Sequence, residues 1–64
     1  MSSKISEISE SKEFGVTTYY IIDKYGKKYK LYASLECWIL EIESSGTSKS
    51  FRHRVAAIDF IENN

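Results

Sequence analysis

The sequence contains one cysteine, no proline, no excess of either charge and no long apolar run. Because Cys37 has no second cysteine to pair with, a disulfide within the chain is excluded. Cys37 and His53 are also the only soft metal ligands, whereas structural zinc sites use four ligands, so we expect no metal and no cofactor. Self-association remains as a means of stabilising so short a chain, and a homodimer is therefore an expected state.

The longest mostly apolar run, residues 37–40, is far shorter than the roughly 20 residues that span a bilayer, and we expect no membrane partner. The single cysteine and the lack of an apolar leader favour a reducing compartment, the cytoplasm. Nine basic and nine acidic side chains cancel, which argues against a protein that coats nucleic acid through its net charge. A local basic patch stays open, since lysines and arginines concentrate in residues 24–34 and 49–54.

Sixty-four residues without a proline, a repeat or a linker indicate a single domain. Residues 1–13 are rich in serine, lysine and glutamate and have only Ile5 and Ile8 as apolar anchors. They are predicted to form a flexible or weakly ordered tail, or a short helix that orders against a partner. Residues 14–64 are predicted to form one small α+β domain.

Two strands joined by a turn are the clearest pattern. Residues 16–23 are mainly β-branched and aromatic, residues 28–34 alternate in the manner of a strand, and Gly26 supplies the turn. We assign Tyr20, Ile22, Tyr29 and Leu31 to the core face. The outward face then carries Thr17, Tyr19, Ile21, Lys28, Lys30 and Tyr32. A shift of one residue in strand register would exchange the two faces.

Residues 35–43 are apolar enough for a central third strand, with Trp38, Leu40 and Ile42 on one face. Residues 48–51 predict a short fourth strand, and residues 52–62 predict a helix that Ser50 caps. The apolar stripe of this helix consists of Phe51, Val55, Ile58 and Ile61. The predicted fold is α+β, an antiparallel sheet of three or four strands packed on one C-terminal helix, which can cover only one face of the sheet.

No group of residues predicts catalysis. Cys37 lies in a strand beside Trp38, where an inert buried thiol is the commoner case. His53 lies between two arginines at a helix start, which disfavours its protonated form. Glu41 and Glu43 alternate on one strand face, without the deep cleft that a carboxylate pair needs. We therefore expect a binding protein that is not an enzyme and has no small-molecule substrate.

The C-terminal third carries a glycine turn at residues 45–47, then Ser50-Phe51, a basic stretch, Ala56-Ala57 and Phe60. This order resembles the end of the arm-type DNA-binding domains of tyrosine recombinases and of the related ethylene-response type domains. The resemblance implies a three-stranded sheet backed by one helix, with the sheet in the major groove of DNA. Where those domains carry several arginines on the strands, this chain has lysines, tyrosines and three glutamates (Glu36, Glu41 and Glu43).

Two binding functions follow. The first is a protein-binding adaptor or inhibitor of the kind carried by phages or mobile elements, homodimeric or bound to another protein, with contacts from Tyr19, Ile21, Tyr32, Ile39 and Phe60. The alternative is a nucleic-acid-binding accessory protein, with contacts from Lys28, Lys30, Lys49, Arg52, His53 and Arg54. Phe60 has a second interpretation, as a residue that packs against a sheet edge. The alternative gains support if the two basic stretches form one continuous surface.

Overall fold

Four turns fold residues 5–51 into a meander in which each strand pairs with the next, and one helix follows. The computed structural model describes residues 4–63. The elements are β1 (Ile5–Glu13), β2 (Val16–Asp23), β3 (Lys28–Ala33), β4 (Trp38–Ile42), β5 (Thr47–Phe51) and α1 (Arg54–Glu62). The sheet is antiparallel in the order β1-β2-β3-β4-β5. The predicted α+β class with an antiparallel sheet and one C-terminal helix is confirmed, but the sheet has five strands and not three or four.

The additional strand is β1. Residues 5–13, expected in a tail or a short helix, instead pair with β2 from Ile5 opposite Asp23 to Glu13 opposite Val16. Serine, glutamate and lysine have low strand propensity, but the ladder of hydrogen bonds to β2 and the packing of Ile5 against the core outweigh it. The turn is a two-residue turn, with positive φ at both Phe14 (54°) and Gly15 (78°), as type I′ hairpins require.

The turn between β2 and β3 sets the register of the sheet. Lys24, Tyr25 and Gly26 form a three-residue loop in which Gly26 has a φ of 84° and the amide of Asp23 donates to the carbonyl of Lys27 (2.9 Å). This arrangement matches the three-residue hairpin that places glycine in the left-handed region. It pairs Ile22 with Lys28 and Tyr20 with Lys30.

Asp23 holds this turn together from a buried position. Its carboxylate accepts hydrogen bonds from the amides of Tyr25 (2.9 Å) and Lys27 (2.8 Å) and from the hydroxyl of Tyr29 (3.2 Å). Burial alone would raise the pKa of this carboxyl group, but the hydrogen bonds from Lys27, Tyr25 and Tyr29 and the charge of Lys27 together lower it below 3.8. Burial raises the pKa of the Tyr29 hydroxyl, and the charge of Asp23 and the hydrogen bond to it raise this pKa further.

The core lies between α1 and one face of the sheet. Its buried apolar side chains come from β2, β3, β4 and α1, and they are Ile21, Tyr29, Leu31, Leu40, Ala57 and Ile61. In β3 and β4 the core faces are as predicted, including Trp38, Leu40 and Ile42. In β2 the predicted faces are exchanged. Ile21 is fully buried and Tyr19 packs against the core, whereas Tyr20 is exposed on the other side.

The helix starts two residues later than predicted, and His53 occupies the N-cap position in place of Ser50, without a side-chain hydrogen bond. Because β5 extends through Phe51, Ser50 belongs to a strand. The face of α1 that meets the sheet is rotated from the predicted stripe, so that Val55 is 63% exposed. Phe60 packs against Phe51, with ring centroids 5.7 Å apart. Among residues 4–63, no helix is long and apolar enough to cross a membrane.

Candidate binding face

The face of the sheet opposite α1 has no covering element among the described residues, and we name it the open face. Strand pairing arranges its side chains on β2–β5 in three rows across the strands. The rows are Ile22, Lys28 and Glu43; then Tyr20, Lys30, Glu41 and Ser48; then Thr18, Tyr32, Ile39 and Ser50. Large apolar or aromatic groups therefore stand beside charges and small hydroxyls on one surface.

The charges of the open face form two adjacent columns of opposite sign. Lys28 and Lys30 lie on β3, Glu41 lies on β4 opposite Lys30, and Glu43 lies just after the end of β4, beside Lys28. Lys30 and Glu41 are direct cross-strand partners, and the amide of Glu43 donates to the carbonyl of Lys28 (3.1 Å). Opposite charges at facing positions stabilise a sheet. The β2–β5 part of the open face is therefore polar and charged but close to neutral.

A shallow groove of about 650 Å³ runs over this surface. Its lining includes all four charged side chains of the two columns, with Tyr20 and Ile22 toward β2 and small residues toward the β4–β5 turn. The small residues are Gly46, Thr47 and Ser48. The groove thus has one bulky apolar side and one side with little side-chain volume, and the charge columns lie between them.

Tyr32 and Ile39 extend the apolar part of the open face beyond the groove. They are cross-strand partners and both are partly buried. A hydrogen bond to Glu41, together with partial burial and the nearby charge of Glu41, raises the pKa of Tyr32. The Lys30 ammonium lies 5.7 Å from the centroid of the Tyr32 ring, within the range of a cation–π contact. These contacts hold the ring close to the charge columns.

Only two of the five predicted protein-contacting residues, Tyr32 and Ile39, lie on the open face. Tyr19 and Phe60 lie on the helix side, where Tyr19 is 6.3 Å from Trp38 between ring centroids. Ile21 is 0% exposed, so its assignment to an outward surface is corrected. The reason is the β2–β3 turn, whose three-residue loop shifts the pairing by one residue from the predicted register.

The predicted nucleic-acid contacts divide between the two sides of the sheet. Lys28 and Lys30 lie on the open face beside glutamates. Lys49 lies on the helix side, with its ammonium 5.3 Å from the centroid of the Phe60 ring. Arg54 is also on that side, where it donates a hydrogen bond to the Tyr19 hydroxyl (2.7 Å). Arg52 and His53 are exposed in the segment between β5 and α1. The two basic stretches therefore do not share one face.

Tyr20 and Ile22 are open-face residues that the sequence pattern had assigned to the core. Alternation alone could not decide between Tyr19 with Ile21 and Tyr20 with Ile22, because each pair combines an aromatic residue with isoleucine. The turn held the missing signal. A glycine at the third position of a three-residue loop pairs residues 23 and 27, which places Ile21 opposite the core residue Tyr29.

A second, smaller groove of about 290 Å³ lies on the helix side between α1 and the first two strands. Its lining is mainly apolar and includes Ile8, Val55 and Ile58. Elsewhere, Cys37 is a partly buried free thiol in the segment before β4. Within residues 4–63, no three histidine, cysteine, aspartate or glutamate side chains are grouped so that they could hold a metal ion.

Comparison with protein-family models, with curated proteins and with solved structures gives no match to this chain. Its function is therefore proposed from its own residues.

Proposed function

We propose that this chain is a non-enzymatic protein-binding module, an adaptor or inhibitor that works in the cytoplasm and engages its partner through the open face. The observation that carries the proposal is the composition of that face. Tyr20, Ile22, Tyr32 and Ile39 surround two charge columns that cancel each other. Tyrosine is enriched in protein interfaces, and paired polar groups at their facing positions provide orientation.

The distribution of positive charge supports a protein partner over nucleic acid. A phosphate backbone is bound by lysines and arginines that release counterions, and nearby carboxylates oppose such binding. On the open face, Glu41 and Glu43 lie directly beside Lys30 and Lys28. A protein surface that carries both signs of charge can pair with both columns, whereas the glutamate column repels a polyanion.

The fold supports this assignment too. A single nine-residue helix packs on one side of a five-stranded sheet, and an antiparallel sheet can leave its second face available for water or for a partner. The strand ladder fixes the backbone from which the side chains of the open face project, so that binding does not have to order the backbone. Such a preorganised surface loses less entropy on association.

The proposal is tested by replacing open-face rings and comparing partner capture. Tyr20→Ser and Tyr32→Ser, singly and together, are expected to abolish capture of proteins that the wild-type chain retains. Tyr25→Ser is the matched control, because Tyr25 is 70% exposed in the β2–β3 turn and lies off the open face. Unchanged capture by the double variant, with circular dichroism showing an intact sheet, would refute the assignment of the open face.

Nucleic-acid binding is a second candidate, and the start of α1 favours it. Arg52, His53 and Arg54 precede or open the helix, whose first turn has no acidic residue and whose N-cap makes no side-chain hydrogen bond. A helix N-terminus with basic neighbours suits a phosphate group. The test is retention on duplex or single-stranded DNA at low salt, compared between wild type and Arg52→Gln/Arg54→Gln. Retention that falls with salt and is lost in the variant would support this function over the first.

A further inference from the structure

The charge columns of the open face are arranged so that the face is complementary to itself. We propose that the partner on this face is a second copy of the chain, which docks face to face about a twofold axis lying between β3 and β4 and running along the strands. This inference rests on the proposed function, because it requires the open face to be the binding surface, and it adds the identity and the geometry of the partner.

The two charge columns are complementary to each other under this rotation. Rotation by 180° about an axis along the strands, midway between β3 and β4, places β3 of one copy over β4 of the other. Lys28 then faces Glu43 of the second copy, and Lys30 faces Glu41, since each pair occupies one row. All four charged positions meet the opposite charge, and the symmetry makes both halves of the interface equivalent.

The same rotation matches side-chain sizes. It places β2 of one copy over β5 of the other, so that Tyr20 comes over Ser48 and Thr18 over Ser50. The bulky ring of Tyr20 thereby enters the side of the groove lined by small residues. Tyr32 of one copy meets Ile39 of the other, so that an aromatic ring packs against a β-branched side chain. The groove of each copy is filled by the other.

The charges also exclude the other simple arrangement. A twofold axis running across the strands instead of along them would place β3 over β3 and β4 over β4. Lysines would then lie over lysines and glutamates over glutamates, and like charges brought together in an interface are strongly unfavourable. The columns therefore select one orientation of the second copy. The zero net charge of the chain removes long-range repulsion between copies.

The dimensions agree with sheet-on-sheet packing. Facing sheets lie about 10 Å apart, a distance that a lysine and a glutamate side chain can span together. Their strands cross at about 30°, which a small tilt of the twofold axis provides. With strands about 4.8 Å apart and a rise of about 3.3 Å per residue, β2–β5 cover roughly 19 by 17 Å. This footprint is below that of a standard interface, so we expect a weak dimer, with a dissociation constant on the order of 10–100 µM.

The charged groups contribute more to orientation than to affinity. Removing lysine and glutamate from water costs free energy that their mutual attraction offsets only in part. Affinity is expected from Tyr20, Ile22, Tyr32 and Ile39, whose apolar surface leaves water in the dimer. Tyr20 is 47% exposed in the single chain, so it has the largest ring surface to lose.

The test is a charge exchange followed by sedimentation equilibrium at low ionic strength. The wild-type chain of 7.4 kDa is expected to double its mass as its concentration rises toward about 1 mM, above the dissociation constant expected for so small an interface. Lys28→Glu/Lys30→Glu and Glu41→Lys/Glu43→Lys are each expected to remain monomeric, because every facing pair becomes like-charged. An equimolar mixture of these two variants is expected to form a dimer, and so is the variant that carries all four exchanges.

Controls separate this inference from unfolding and from the proposed function. Circular dichroism checks the fold of each variant. Tyr20→Ser tests the same face without changing its charge, and Tyr25→Ser is its control. Association is expected to weaken at least about tenfold in Tyr20→Ser and to stay unchanged in Tyr25→Ser. A wild-type chain that stays monomeric at about 1 mM, or a dimer that persists in both charge variants, would overturn the inference. If that monomer still loses a different protein partner on Tyr20→Ser, the proposed function stands without self-association. If the wild-type chain is monomeric and Tyr20→Ser loses no protein partner, both the dimer and the proposed function are refuted.

Discussion

The two faces of the sheet are built from alternate residues of the same strands, yet they have different compositions. The helix-covered face buries Ile21, Leu31 and Leu40 completely. On the open face, their neighbours along the chain are Ile22, Lys30 and Glu41, which stay partly or fully exposed. Stability and the proposed binding can therefore be tested separately, since the odd and even positions of a strand lie on opposite faces of the sheet.

The sharpest way to test this separation uses adjacent isoleucines on β2. Ile21→Ala is expected to lower the free energy of unfolding by about 2–5 kcal/mol, because it leaves a cavity in the core. Ile22→Ala removes a partly exposed side chain from the open face and is expected to cost about 1 kcal/mol or less. Urea unfolding at low protein concentration measures both values.

Ile21→Val, with an expected cost of about 0.5–1.5 kcal/mol, replaces Ile21→Ala if the latter does not fold. Equal losses at positions 21 and 22 would contradict the assignment of the two faces. The comparison also checks the strand register directly, since a shift by one residue would reverse the order of the two effects.

Phe60 has both a packing and a partner-contact interpretation. Its ring lies against Phe51 on the helix side, so Phe60→Ala is expected to cost about 1–3 kcal/mol of stability and to leave binding by the open face unchanged. Val55→Ala is the control on the same helix, because Val55 is 63% exposed and should change stability by less than about 0.5 kcal/mol. Normal stability with lost binding would favour the partner-contact interpretation.

Much of the helix-covered face could be predicted from the sequence. The alternation of Tyr29 with Leu31, and of Trp38 with Leu40, contains enough contrast between apolar and polar neighbours to orient β3 and β4. β2 lacks that contrast, because Tyr19, Tyr20, Ile21 and Ile22 are consecutive and all apolar or aromatic. There only the loop length decides, and loop geometry is a weaker signal in a sequence than hydrophobic alternation.

The strand β1 could not be predicted from its own residues. Its serines, glutamates and lysine favour disorder when taken alone, and the strand forms because β2 offers an edge of unpaired backbone groups. The charge columns of the open face could not be predicted from the sequence either. Lys30 and Glu41 are 11 positions apart, and only the register of β3 with β4 makes them neighbours.

The turn between β2 and β3, which sets the register, is expected to respond to pH. Because hydrogen bonds lower the pKa of Asp23 in the folded chain, its carboxylate stabilises the fold above its ordinary pKa of 3.8. That contribution is lost as the pH falls through the lower folded pKa. Asp23→Asn is therefore expected to be less stable than wild type near pH 7. The difference should shrink below about pH 4.

Thermal unfolding of both proteins between about pH 7 and pH 2 measures this convergence. Tyr29→Phe is the companion variant, since it removes one hydrogen bond to Asp23 and keeps the two from backbone amides. It should retain most of the acid dependence of wild type. A difference between Asp23→Asn and wild type that does not change with pH would contradict a role for the charge of Asp23.

The smallest change in stability is expected at Arg54, and it shows how positive charges are paired on the two sides of the sheet. On the open face, Lys30 and Lys28 are balanced by Glu41 of β4 and by Glu43 just after it. On the helix side, the Arg54 guanidinium bonds the Tyr19 hydroxyl and lies 5.4 Å from the centre of its ring. Both partners are accessible to water, and Tyr19→Phe keeps the ring. A double-mutant cycle of Arg54→Ala and Tyr19→Phe therefore measures the hydrogen bond alone and is expected to give a coupling of about 0.5–1 kcal/mol.

A coupling of that size would mean that Arg54 must leave Tyr19 before it can bind a phosphate, which weakens the nucleic-acid alternative at the helix start. No measurable coupling would mean that the Tyr19 hydroxyl does not hold Arg54, and DNA retention by Tyr19→Phe should then equal that of wild type. If the coupling is present and DNA binding occurs, Tyr19→Phe should strengthen retention, because it removes the hydrogen bond that competes for the guanidinium. The cycle therefore decides whether positive charge on the helix side is held within the fold or is free for a ligand.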